Sequence, residues 1–274
     1  MTVKIMVGGR KGGTGKTTVA KNLAAGCARA GLTTLLVDAD GQANATSGMQ
    51  VAPYDGFKAL VLDDADWADL LRPVPEDFAG VQGMFVLPSH MGQKQVEENA
   101  DSIPAIVERF AELDGQIDVV IVDTSPGATN AHIGLYYACD YIVLPVQCVM
   151  ESILSLDDMM IFLENAKKTG AAVGYQTASF LGIVPNMLNA STNVHKTNHG
   201  FIQGQYFQRV TVFRPMRDLT VWQQASQYRT SIWHLADVGS HRERRDAKIA
   251  GMELQPLLNA VLKLARAESE RVAV

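Results

Sequence analysis

Arg10-Lys11-Gly12-Gly13-Thr14-Gly15-Lys16-Thr17-Thr18 follows directly on the apolar run Val3-Lys4-Ile5-Met6-Val7. The order is strand, glycine-rich turn, helix start. Glycines let a backbone curl until successive N–H groups point inward at phosphate oxygens. The helix that follows adds its positive N-terminal end. Lys16 is spaced to reach β- and γ-phosphates, and the Thr17 hydroxyl to ligate Mg²⁺. The strict phosphate-loop pattern asks for glycine at position 10, where this chain has Arg10. It carries instead a second lysine, Lys11, five residues before Lys16. One subunit does not need that charge to hold a nucleotide, so a second subunit is an expected user.

The rest of the chain repeats one theme. Short β-branched runs at Lys4–Val7, Thr34–Val37, Met84–Leu87, Val119–Val122, Tyr141–Leu144 and Phe180–Val184 alternate with helical patterns such as Val19–Ala30, Ile103–Leu113 and Ser152–Lys168. A further strand is expected near Arg209–Val212. Apolar runs of this length, bounded by Asp, Gly or Pro, read as strands buried on both faces. The series predicts an α/β fold with a mostly parallel twisted sheet flanked by helices, in one domain over residues 1–274. Ligands belong at the carboxyl ends of the strands. The acidic stretch Asp55–Asp77 reads as a solvated excursion.

Two strand ends carry acids. The second strand closes on Val37-Asp38-Ala39-Asp40-Gly41-Gln42, and period-two alternation puts Asp38 and Asp40 on one side if the strand continues. One suits a water on Mg²⁺, the other an attacking water. The fourth strand closes on Val122-Asp123-Thr124-Ser125-Pro126-Gly127, where Asp123 fits a second Mg²⁺ partner and the Pro126-Gly127 turn a γ-phosphate contact.

Composition sets limits. A 47% hydrophobic content suits a folded core. No apolar stretch approaches the ~18 residues of a bilayer span, and no leader pattern opens the chain. Cys27, Cys139 and Cys148 form no CxxC pair, which predicts buried thiols in a reducing cytoplasm. The net charge of −5 is uneven: residues 201–274 hold 11 Lys+Arg against 7 Asp+Glu. Such asymmetry marks a candidate polyanion-facing surface.

Taken together, the motifs resemble the ParA/MinD family of deviant Walker ATPases. Lys11–Thr18 matches the deviant Walker A loop. Val37–Gly48 resembles the ParA-type switch I, with Gly41 where that run usually has proline. Val119–Gly127 resembles the Walker B strand and switch II, and Cys139–Gln147 a later family strand. The resemblance implies ATP and Mg²⁺ as cofactors and a homodimer that sandwiches ATP. It implies that Lys11 reaches the partner's phosphates, while Gly12, Gly13, Thr14, Gly15, Lys16, Thr17 and Thr18 hold the nucleotide in cis. Asp40 would position water, with Thr17, Asp38 and Asp123 at the metal. Asn186 would read the adenine edge, and the Phe213–Met216 loop, with Pro215, would close over the base.

Within the family, metal-cluster proteins are disfavoured by the cysteine spacing. Membrane-directed MinD-like proteins are disfavoured because the stripe Leu257, Leu258, Val261, Leu262 and Ala265 lacks aromatics and is followed by Glu268 and Glu270. A C-terminal helix over about 252–270, packed on the domain, is expected instead. The ParA branch fits switch I and the arginines Arg209, Arg214, Arg217, Arg229, Arg242, Arg244 and Arg245, a candidate surface for nonspecific DNA. That branch implies a cytoplasmic, nucleoid-associated, partner-stimulated ATPase working with a ParB-like adaptor. The alternative from another class is a metabolic ATP-dependent enzyme on the same fold, which usually lacks a lysine at the Lys11 position.

Overall fold

The computed structural model describes residues 2–206 and 208–272. In chain order the elements begin β1 (Val3–Val7), α1 (Lys16–Arg29), β2 (Thr34–Ala39), α2 (Asn44–Gly48), α3 (Gly56–Leu62), α4 (Trp67–Leu70) and β3 (Arg72–Pro73). Next come α5 (Glu76–Ala79), β4 (Met84–Leu87), α6 (Gln93–Glu98), α7 (Ser102–Ala111), β5 (Val119–Thr124), α8 (Asn130–Ala138) and β6 (Tyr141–Gln147). The chain continues through α9 (Met150–Ala172), β7 (Ser179–Asn186), α10 (Asn193–Tyr206), α11 (Thr220–Gln227), α12 (Ile232–Val238) and α13 (His241–Val272).

The strands form one seven-stranded sheet in the order β3-β4-β2-β5-β1-β6-β7. All neighbours run parallel except the two-residue edge β3, which is antiparallel to β4. Alternation along β1 explains the layering. Val3, Ile5 and Val7 join a core with Leu23 of α1 and Leu254, Leu257 and Val261 of α13. Met6 faces the opposite core, with Ile106 and Phe110 of α7 and Leu156 of α9. A doubly covered parallel sheet buries both faces of its strands, which is why they lack polar alternation. The stripe of α13 is therefore an intramolecular contact. It packs closely enough on α1 that a Cβ at Gly26 would lie 2.8 Å from Leu258.

Two expectations are corrected. The segment Arg209–Val212 forms only a single bridge, Ile183 to Val212. Phe213 then turns into the core, and Pro215 has no N–H with which to extend a ladder. The acidic stretch is not a free excursion. Its acids at 63, 64, 66, 69, 76 and 77 are exposed, but Phe57 and Leu60 before them and Leu70 and Val74 among them are buried, and Phe78 follows them into the core. The acids are the wet face of α3 to α5.

Candidate functional site

The central strands β1, β5 and β2 end side by side, and the register sets Val7 beside Asp123 and Asp123 beside Asp38. The glycine-rich loop rises from β1 over these ends. Gly13 and Gly15 have φ of 76° and 89°, a left-handed conformation that favours glycine. Gly15 is also a close approach, because a Cβ there would fall 2.1 Å from the Asn186 amide nitrogen.

Two amides buttress the loop from neighbouring strands. Asn186 Nδ2 donates to the Thr14 carbonyl at 2.8 Å, and Gln147 Nε2 to the Gly13 carbonyl at 2.7 Å. Both act on carbonyls. Among the described residues, no N–H from Gly12 to Thr18 has a backbone acceptor outside its own helix. The loop thus presents donors to a cleft of about 400 Å³ lined by Gly12, Lys16, Thr17, Asp40, Asn44 and Met187, among others. Asn186 has its oxygen engaged as well, by the Met187 N–H at 2.8 Å. In this conformation it braces the loop. Pro215 does not line the cleft: Phe213 and Met216 beside it are buried, and the Met216 N–H is tied to the Pro185 carbonyl at 2.8 Å.

Beneath the loop lies a buried charge cluster. Lys16 Nζ donates to the Lys11 carbonyl at 3.1 Å. Burial pushes the pKa of Lys16 and Lys21 down, while Asp123 opposes this in both. The strand ends at Ala39, so Asp40 lies past the ladder and is not a period-two partner of Asp38. Instead the Asp40 N–H donates to Asp38 Oδ1 at 3.2 Å, while Thr46 gives its N–H and hydroxyl to Asp38 Oδ2 at 2.8 and 2.6 Å. Asp38 is thereby committed to holding switch I. Asp123 is fully buried and neither oxygen has a hydrogen-bond partner. Burial, then the neighbouring Asp38, raises its pKa to about 8; the nearby Thr17 hydroxyl works against the rise without reaching hydrogen-bond geometry. Burial alone is the main cause that lifts Asp38 to about 6. An unpaired buried carboxylate beside a threonine hydroxyl suits a hydrated divalent cation, which would supply the missing partner.

This has a measurable consequence in the unliganded protein. A carboxyl with pKa about 8 when folded and roughly 4 when unfolded binds more protons folded between those values. Stability therefore falls as pH rises through that window, at up to roughly 1.4 kcal/mol per pH unit per group, and levels above it. Asp38 adds the same sign only up to about pH 6. Asp123→Asn is expected to flatten the limb between about pH 6.5 and 8 and to raise Tm at pH 8. Thermal unfolding across that range decides it; an unchanged slope in the variant would refute the assignment.

Switch II is anchored around Ser125. Burial lowers the His132 pKa to about 4, so the ring is neutral at pH 7. Its Nε2–H donates to the Ser125 carbonyl at 2.9 Å, since a carbonyl can only accept, and Nδ1 accepts from Thr129. The Ser125 hydroxyl donates to Glu97 Oε1 at 2.6 Å.

The arginines fall into separate groups. Arg209 and Arg214 lie on the exposed chain after α10, and Arg229 closes α11 beside the start of α13, where the Tyr228 hydroxyl donates to Glu243 at 2.9 Å. Arg242, Arg244 and Arg245 are exposed on α13, with Asp246 at 3.8 Å from Arg242 and 3.0 Å from Arg245. Arg217 differs from the others in being paired with a buried carboxylate. Its guanidinium and its N–H both bind Glu253, whose side chain is 2% exposed. A buried carboxylate requires that partner, so the Arg217 charge, although its side chain is 41% exposed, is engaged within the fold. Cys27, Cys139 and Cys148 are free and buried, and no described group of His, Cys, Asp and Glu could hold a metal ion by itself. No described helix is long and apolar enough to cross a membrane.

A phosphate loop, a buried lysine and strand-end carboxylates on a parallel sheet define a P-loop nucleotide-binding protein. A family model described as an AAA domain matches residues 2–173. The sporulation initiation inhibitor protein Soj of Bacillus subtilis is 30% identical over 202 residues, covering 69% of this chain and 74% of its own. The chromosome-partitioning ATPase Soj of Thermus thermophilus is 28% identical, over 89% of this chain and 94% of its own. Among solved structures, an ATP complex of a Cyanothece McdA variant superposes with a TM-score of 0.77 at 19% identity, over 93% of this chain and 96% of its own. The chain belongs to the ParA/MinD family of P-loop ATPases.

Proposed function

We propose that this chain is a ParA-type positioning ATPase that binds ATP with Mg²⁺, dimerises around it, and in that state holds DNA without reading sequence. Hydrolysis releases the dimer, and a ParB-like adaptor accelerates that step to segregate or position a cargo. The observation that carries this reading is the split between two lysines on one loop. Lys16 is buried in the cleft, while the ammonium of Lys11 has no ion pair among the described residues and does not line the cleft. A cation placed beside a phosphate site, but not used by it, fits service to a second subunit.

Arg209, Arg214, Arg229, Arg242, Arg244 and Arg245 remain as the proposed DNA surface. Phosphate contacts add in free energy, so pairing two subunits raises affinity steeply. The paired replacements Arg209→Ala with Arg214→Ala, and Arg242→Ala with Arg245→Ala, are expected to weaken DNA retention at low salt while the ATP-dependent dimer survives. Each lost contact flattens the slope of log K against log salt by roughly 0.9. DNA binding that both pairs leave intact would displace the surface. Hydrolysis that answers to a small-molecule acceptor, and not to DNA with an adaptor, would assign the chain to a metabolic enzyme instead.

A further inference from the structure

The short helix α6 touches both catalytic loops at once. Its first residue, Gln93, is 1% exposed, and its Nε2 donates to the carbonyl of Ala39 at 3.0 Å. Ala39 is the last residue of β2 and immediately precedes Asp40. One turn later, on the same helix face, Glu97 accepts the Ser125 hydroxyl at 2.6 Å, one residue before Pro126-Gly127. The two anchor points of α6 therefore lie next to the acid expected to orient water and to the turn expected to meet the γ-phosphate.

Gly41 packs against the start of α6. A Cβ at that position would stand 3.3 Å from the Gln93 Cβ and 3.5 Å from the His90 carbonyl oxygen. With glycine at the place where the resemblance leads one to expect proline, this approach of α6 to switch I is uncrowded. On the other side, His132 fixes the Ser125 carbonyl. Ser125 is thus gripped at two atoms, and only Pro126, Gly127 and Ala128 lie between it and Thr129, which His132 also holds. A second cleft of about 490 Å³ opens along this seam and shares Asp40, Gln42 and Pro126 with the phosphate cleft.

We propose that Glu97 and Gln93 are positioning residues for ATP hydrolysis: α6 is a brace that fixes the separation between Asp40 and the Pro126-Gly127 turn. The inference rests on the ATPase reading above. Glu97 is half-buried and charged, so its bond from a hydroxyl is of the strong, charge-assisted kind. Nucleotide affinity is expected chiefly from the loop, Lys16 and Thr17, to which α6 makes no hydrogen bond among the described residues. A displaced Asp40 or Gly127 instead alters the alignment of water and γ-phosphate. Misalignment of that size lowers the rate and leaves ground-state binding in place.

The test compares wild type with Glu97→Ala, Glu97→Gln, Ser125→Ala and the Glu97→Ala/Ser125→Ala double variant. Single-turnover hydrolysis, ATP affinity, Tm and amide hydrogen exchange of the unliganded protein are read for each. Glu97→Ala and Ser125→Ala should each slow hydrolysis roughly 10- to 100-fold, with ATP affinity within about twofold. The double variant should be no slower than the worse single, because both remove one interaction. Glu97→Gln should recover part of the rate, since its amide oxygen still accepts from Ser125. Exchange at Gly127–Thr129 should quicken in Glu97→Ala with little change in Tm. Wild-type hydrolysis by Glu97→Ala, multiplicative losses in the double variant, or a matching loss of ATP affinity would overturn the proposal. The exchange measurement separates the two readings. Quickened exchange in a chain whose wild type never hydrolyses ATP upholds the brace and removes the ATPase reading, whereas unchanged exchange removes the brace alone.

Discussion

Asp40→Ala is expected to slow hydrolysis steeply and preserve ATP binding, whereas Lys16→Ala is expected to weaken ATP binding itself. The two proposed roles fit two different positions. Lys16 lies in the first turn of α1, buried beneath the loop, with its ammonium on the Lys11 carbonyl. Burial disfavours its charge in the empty site, with Asp123 and Asp40 opposing that effect. Bound phosphates would oppose that effect, favour the charged ammonium and gain a buried, charge-assisted contact, present in ground and transition states alike. Its loss is expected to weaken ATP binding by roughly 100-fold, the scale of one strong ionic hydrogen bond. Asp40 stands beyond β2 at the rim of the cleft, with its Oδ1 taken by the Gln42 N–H at 2.9 Å. It supplies no donor to a phosphate. Its proposed use is to orient water, which matters only as the bond to phosphorus forms. A hydrolysis rate at least about 100-fold lower, with ATP affinity within about threefold, is the expected signature. The ATP-bound dimer should then persist on a sizing column long after the wild-type dimer has decayed. Equal loss of nucleotide binding in the two variants would show that the division of labour is wrong.

The main lines of this site are legible in the sequence because each rests on a local pattern. Glycines between an apolar run and a helix start announce the loop, and an aspartate closing a short apolar run announces a strand end. Residues recruited across the fold leave no such mark. Lys21 joins the buried charge cluster from one turn beyond Thr17, and nothing distinguishes it in sequence from a surface lysine on an amphipathic helix. Thr46 captures Asp38 from eight residues away, and Glu97 meets Ser125 across 28. Gln147 and Asn186 brace the loop from strands that fold next to it only once the sheet exists. Arg217 misleads for the converse reason: its buried partner, Glu253, sits 36 residues on, in a helix whose packing had to be known first. The stretch at 209–212 fails as a strand because Pro215 and the burial of Phe213 override a β-branched run. Sequence patterns speak for hydrogen bonds within an element; they are silent on side chains that link elements.

Lys11→Ala is expected to keep ATP in the monomer and to abolish the ATP-dependent dimer. Lys11 is half-buried on a loop whose carbonyl at the same residue already holds Lys16. Removing its side chain leaves the Gly12–Thr18 donors, the Lys16 ammonium and the Asn186 and Gln147 braces in place, so cis affinity should change by no more than about threefold. Two ATP molecules facing each other across a two-fold axis, however, bring several negative charges together. A closed dimer forms only if each subunit offers the other's phosphates a cation. A symmetric contact uses every such residue twice, so one substitution removes two charge-assisted contacts at once. Even at roughly 2 kcal/mol each, that loss exceeds a factor of 100 in the dimerisation constant. Sedimentation with ATP and Mg²⁺ at several protein concentrations reads it directly. Arg10→Ala serves as the control, since it removes a neighbouring exposed cation that the resemblance does not assign to the partner. A Lys11→Ala chain that dimerises with ATP at wild-type strength, or an Arg10→Ala chain that fails equally, would mean that the loop's extra charge does not reach across an interface, and the sandwich would have to be given up.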